Sequence, residues 1–120
     1  MKRLTKAEEQ IMQALWKIKK GFLKDIIEAM PAPKPHHNTV ATLLKILIEK
    51  KFVATETFGR MYEYTPLVSK AIYSKNSLNG LVKGYFGGSF SSAVSFLVHE
   101  NKLSIEDLQF LVKKKKKNKP

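Results

Sequence analysis

Asn38, Thr39, Thr42 and Lys45 are spaced so that a helix would bring them to one side, and their chemistry is that of base recognition. An Asn amide offers adenine a matched donor and acceptor at N7 and N6, and a Thr methyl packs against the thymine methyl. Lys45, nearly a turn beyond Thr42, suits a phosphate oxygen. The run that holds them, HHNTVATLLKILIEKK over residues 36–51, fits a helix on its apolar positions. At about 100° per residue, Val40, Leu43, Leu44, Leu47 and Ile48 form one stripe. Asn38, Thr42, Lys45 and Glu49 fall opposite it, with Thr39 and Ala41 at the margins. A solvated face is usually dense in Lys and Glu, whereas this one opens with small hydrogen-bonding groups.

Other residues invite chemistry and mostly fail a count. His36 and His37 have the look of metal ligands, but adjacent helical residues point about 100° apart. Only His99 remains elsewhere, and zinc or copper sites take three or four ligands. Phosphate contact at the mouth of the helix is the better use for the pair. Arg60, at the tip of the hairpin, fits either a DNA minor groove or a phosphate, or an ordinary solvated hairpin charge. The run Lys113 to Lys117 suits nucleic acid or an acidic membrane, yet such runs are more often solvated helix ends. There is no nucleophile motif, no carboxylate pair and no Gly-rich loop after a strand; Gly84 and Gly87-Gly88 follow helical sequence. The reading is therefore of a protein that is no enzyme, with no cofactor and no metal.

The elements that must position the polar face can be read around it. Thr5 and Glu8 have the spacing of a capping box, and Leu4, Ala7, Ile11, Leu15 and Ile18 recur at helical intervals with Trp16 adding bulk. Gly21 is expected to stop this first helix after Lys17, Lys19 and Lys20. A second helix is expected from Phe22 to Met30, and Pro31, Pro33 and Pro35 forbid its continuation. After the third helix, 53–57 and 61–65 alternate as strands, with Phe58-Gly59-Arg60 as the turn. Helix, helix, polar-faced helix and hairpin in that order predict a winged helix-turn-helix over residues 1–66. The fold class is mainly α with a small β hairpin, an α+β arrangement.

The remainder reads as helical: about Leu67 to Phe86, a break at Gly87-Gly88, Phe90 to about His99, and a helix capped by Ser104 with Glu106 and Asp107 in its first turn. Leu78, Leu81, Val82, Tyr85, Phe86, Phe90, Val94, Leu97, Val98, Leu108 and Leu111 crowd this region, together with Phe96, Ile105, Phe110 and Val112. Three short helices cannot hide so much apolar surface, but a second copy can. Residues 67–112 are therefore read as a dimerisation region, and 113–120 as a lysine-rich tail. Two copies would also present two recognition helices to half-sites about one helical turn apart.

Net charge fits a nucleic-acid partner with limited force. The chain of 120 residues carries +12, but residues 1–66 hold 12 Lys or Arg against 7 acids, a net of +5. Six lysines lie in the last eight residues. The absence of cysteine excludes disulfides, thiolate metal sites and thiol redox sensing. The opening MKRLTKAEEQ lacks the apolar run of a signal peptide, and no stretch approaches the roughly 20 apolar residues of a membrane span. A cytoplasmic protein is expected.

LTKAEEQIMQALWKIKKGFLKDIIEAM resembles the opening of the penicillinase-repressor family, the family of methicillin-resistance repressors, whose pattern is L-T-x-A-E-x-x-I-M-x-x-L-W. NTVATLLKILIEKKFV resembles that family's recognition helix, T-T-V-x-T-L-L-x-x-L-x-x-K-G-x-V. The Tyr62 and Tyr64 strand and Gly87-Gly88-Ser89-Phe90 match as well. The resemblance implies a homodimeric repressor on palindromic TACA/TGTA-type DNA operators before resistance genes, with contact at Asn38, Thr39, Ala41 and Thr42. It also implies a membrane sensor-protease as partner in the beta-lactam branch, where cleavage falls at an Asn-Phe bond. Here the aligned pair is Phe96-Leu97, which departs from that bond. The copper-responsive branch has a cysteine-rich C-terminus and is excluded. Two function classes stand at this point: a DNA-reading repressor, favoured, and a winged-helix protein-interaction module that does not read DNA.

Overall fold

Thr5 sets the first element in place. In a computed structural model that describes residues 2–117, and the side chains of residues 2–114, its hydroxyl accepts the Glu8 N–H at 3.2 Å. The Glu8 carboxylate accepts the Thr5 N–H at 2.8 Å, so the expected capping box is present. Helix α1 (Lys6–Ile18) then buries Ile11, Met12 and Leu15 completely. Ala7, expected on the same face, is exposed. In the first turn the inward stripe runs through Leu4 and Glu8, and Ala7 lies about 100° to one side of Glu8.

The end of α1 differs from expectation in an informative way. Lys19, at φ 75°, turns the chain and donates its N–H to the Leu15 carbonyl at 2.8 Å. Gly21 matters for another reason: a Cβ there would lie 2.8 Å from Ile18 Cδ1 and 3.0 Å from Asp25 Cβ. It belongs to a two-residue strand, β1 (Gly21–Phe22), too short to show any alternation in sequence. Phe22, expected in the second helix, precedes it instead. Helix α2 (Leu23–Ala29) has the Phe22 N–H donating to the Asp25 carboxylate at 2.9 Å. Its far end is closed by Lys34, whose ammonium donates to the Glu28 carbonyl at 2.8 Å and to the Met30 carbonyl.

Helix α3 (His37–Glu49) buries Val40, Leu44 and Leu47 completely, the centre of the expected stripe. Strands β2 (Val53–Phe58) and β3 (Met61–Pro66) pair from Val53↔Pro66 to Phe58↔Met61. Phe58 is thus the last strand residue, and Gly59 (φ 63°) with Arg60 makes the turn. The sheet has three strands in the order β1-β3-β2, with Gly21↔Tyr64 and Phe22↔Glu63 across the outer pair. Phe52 and Val53 join the helical core of Leu15, Ile26, Val40 and Leu47. Trp16 Nε1 donates to the Val68 carbonyl at 2.8 Å, and Tyr73 meets both Trp16 and Phe52 at ring-centroid distances of 5.7 and 5.8 Å. This is a winged helix-turn-helix.

The chain divides into two compact units, Met1–Lys75 and Asn76–Pro120. Helix α4 (Lys70–Tyr85) starts three residues later than the expected Leu67, because the Ser69 hydroxyl caps it at the Ile72 N–H, 3.1 Å away. It ends at Gly87 and Gly88, both at positive φ, where the Gly88 N–H returns to the Val82 carbonyl at 3.1 Å. Helices α5 (Phe90–His99) and α6 (Ile105–Lys117) follow. Ser104 caps α6 as expected, in a reciprocal pair with Asp107 at 3.0 Å each way. That pairing holds the Asp107 carboxyl below its ordinary value. In the second unit Val82 is the one buried side chain among the described residues. Residues 118–120 of the lysine-rich tail, and the side chains of Lys115, Lys116 and Lys117, lie outside the described residues.

Candidate nucleic-acid interface

The start of α3 is built by His36, which stands just before the helix rather than inside it. Its Nδ1 accepts the Asn38 N–H at 3.2 Å and so serves as the N-cap. With Nδ1 occupied as an acceptor, the ring proton sits on Nε2, the nitrogen left to donate outward. His37, Asn38, Thr39, Thr42 and Lys45 are all exposed, and Ala41 is half-buried. Thr42 Oγ1 donates to the Asn38 carbonyl at 2.9 Å. Its hydroxyl proton is thereby committed to the backbone, and its methyl is the uncommitted group.

Five of these residues do not act as a flat face. His37, Asn38, Ala41, Thr42 and Lys45 line a concave groove of ≈ 660 Å³ whose opposite wall is the wing, at Arg60, Met61, Tyr62 and Tyr64. Phe22, Leu23 and Lys24, where β1 hands over to α2, close its third side. The structure thus brings Arg60 beside Asn38, Thr42 and Lys45, which the sequence placed on one helix face without linking them to the hairpin. His36 and Thr39 are not among its lining residues. Lys24, Lys45 and Arg60 give the groove three cations, with no carboxylate among its described lining residues. A phosphate-bearing ligand fits such a balance.

Phe22, Leu23, Lys24, Met61 and the two tyrosines line the groove without having been expected as site residues. Tyr62 and Tyr64 had a signal, since alternation places both on one face of β3. Lys24 had none, because it reaches the groove only through the turn at β1. Burial pushes the Tyr64 phenol up, and nearby Tyr62 adds to the rise, so it stays a neutral O–H donor around neutral pH. No group of three or more His, Cys, Asp or Glu that could hold a metal occurs among the described residues.

A family model described as penicillinase repressor matches residues 4–116, almost the whole chain. The chain belongs to the penicillinase-repressor family. This is a family of transcriptional repressors, not of enzymes, and the chain is a repressor of that type. It is 32% identical over 117 residues to the methicillin resistance regulatory protein MecI of Staphylococcus aureus, covering 93% of this chain and 94% of that one. It is 24% identical over 114 residues to the penicillinase repressor of Bacillus licheniformis, covering 91% and 86%. A solved structure of the CopR repressor aligns at a TM-score of 0.47 and 29% identity, covering 57% of this repressor and all of that chain. No described helix of the repressor is long and apolar enough to cross a membrane.

Proposed function

We propose that the repressor acts as a homodimer that reads a palindromic operator with α3, the wing lying alongside on the same duplex. The groove carries this reading: base-reading side chains on one wall, Arg60 on the other, and no carboxylate between them. A recognition helix contacts base edges mainly with its N-terminal residues, which is where Asn38, Ala41 and Thr42 stand. Lys24, Lys45 and Arg60 meet phosphates, supply affinity and release counterions without discriminating sequence. His36 and His37 stand at the mouth of α3, where Nε2–H can meet phosphate.

Dimerisation is supported by what the second unit leaves uncovered. Leu78, Leu81, Tyr85, Phe90, Leu97 and Leu111 are all exposed, and α5 buries none of its ten residues. Val82, grouped with them by sequence, is 1% exposed within its own chain and offers no surface to a second copy. The rest, with half-buried Phe86, Val94, Val98 and Leu108, form the proposed face within residues 67–112.

Relatives named for methicillin resistance and penicillinase point to resistance genes as targets. The pair standing at the family's cleavage position, Phe96-Leu97, lies inside α5. Release by a sensor-protease cutting at an Asn-Phe bond is therefore not part of this proposal. A gel shift tests the DNA reading, using the DNA upstream of the protein's own gene and a TACA/TGTA palindrome against a scrambled duplex. Preference for the first two supports it. Equal affinity for all three leaves the interaction-module reading in place.

A further inference from the structure

The wing ends in two bulky apolar side chains where a hairpin tip is usually polar. Phe58 and Met61 are direct cross-strand partners, so both leave the same face of the hairpin, one on each side of Gly59-Arg60. They are 50% and 53% exposed. The ring of Phe22 meets Phe58 edge-on at 6.2 Å and supports it from behind. Met61 and Arg60 also line the groove that holds Asn38 and Thr42, so this tip continues the surface already assigned to DNA.

We infer that the Phe58–Met61 pair is a minor-groove wedge. Arg60 draws the tip toward the minor groove flanking the major groove that α3 occupies, where the potential is most negative. Phe58 and Met61 then press on the sugars and on one base step, and the duplex bends away from them. Apolar side chains placed in this way unstack a step, and the lost stacking is offset by the surface that the bent DNA covers. Glu56 and Glu63 face one another on the same side of the hairpin, two residues back from the tip. At about 3.4 Å per residue they stand roughly 7 Å behind it. Their charges repel phosphates, so the last rung enters and the rest of the wing stays out. This inference rests on the operator reading of α3.

The test uses the full chain and a duplex carrying a TACA/TGTA palindrome with its flanks, end-labelled for energy transfer. Wild type should shorten the end-to-end distance on binding. Phe58→Ser combined with Met61→Ser should leave the duplex straight and weaken binding roughly tenfold or more, the scale set by burying the exposed halves of two such side chains. Phe58→Leu should keep the bend. Netropsin filling the flanking minor groove should abolish the bend with wild-type protein, a result independent of any variant's folding. Normal binding with a straight duplex, or a double variant that bends DNA like wild type, overturns the wedge and leaves the operator reading intact. A double variant that loses the dimer in sedimentation would assign the tip to a contact between copies and equally overturn it. No binding of wild type to this duplex or to its own upstream DNA overturns both.

Discussion

At the scale of single residues, the proposed DNA reading divides two jobs over one face of α3. Asn38 presents an amide with its own side-chain groups free, while Thr42 has already spent its hydroxyl proton on the Asn38 carbonyl. Each base contact is worth on the order of 1–3 kcal/mol of discrimination. Asn38→Ala should therefore narrow the gap between operator and random DNA roughly tenfold or more, with nonspecific binding nearly intact. Thr42 allows a sharper test, because its methyl and hydroxyl can be removed separately. Thr42→Val should keep operator preference and Thr42→Ser should lose it, as read by competition binding; the reverse order would show that the hydroxyl does the reading. Lys45→Ala should instead weaken operator and random DNA alike and lower the salt slope by about one. A Lys45 variant that lost operator binding alone would contradict its phosphate role.

Between elements, an ion pair adds to the apolar core that α1 and α3 share. Lys50, just past the end of α3, reaches the Glu8 carboxylate at 2.7 Å and the Arg3 carbonyl at 3.2 Å. Glu8 is 2% exposed. Burial opposes its charge, but the Lys50 hydrogen bond, the Thr5 N–H and the Lys50 charge outweigh burial and hold its carboxyl below the ordinary 4.5. A lowered carboxyl stabilises the fold above its unfolded value, and that stabilisation fades as pH falls through the folded value. Urea denaturation should therefore show wild type losing stability below pH 4.5 more steeply than Glu8→Gln, which should be the weaker protein at neutral pH. Parallel pH profiles would remove the ion pair from the account. Gly21→Ala should cost about 1–3 kcal/mol in the same assay, because Asp25 Cβ cannot move away as the Ile18 methyl can.

For the whole molecule the decisive quantity is uncovered apolar surface in the second unit. Burying about 1,000 Å² at about 25 cal/mol per Å² gives a large gross driving force before association entropy is subtracted. Sedimentation at micromolar concentration should show a dimer, and a lone 13.7 kDa species would rule the proposed face out. Leu81→Glu should give monomers, with operator affinity falling far more than affinity for random DNA. Two α3 helices held at fixed spacing gain from a palindrome, and a scrambled duplex offers no such gain.

Much of this was legible from local pattern. The Thr5–Glu8 box, the Val40–Leu44–Leu47 stripe, the alternation of β2 and β3 and the Ser104 cap each depend on residues a few positions apart, where spacing fixes geometry. At the end of α1 a Gly reads as the helix stop, whereas Lys19 makes the turn and Gly21 serves a close approach. His36 looked helical because nothing in its sequence separates a first-turn residue from a cap. The Glu8–Lys50 pair spans 42 positions, and β1 is two residues long, so neither leaves a periodic trace. The longer helices, the β2–β3 hairpin and the polar face of α3 follow from residues near one another in the chain, since periodicity and capping are local. That Lys24, Arg60 and Tyr64 share a groove with that face depends on distant parts of the chain, because packing α1, α2 and the sheet around one core is what brings them together.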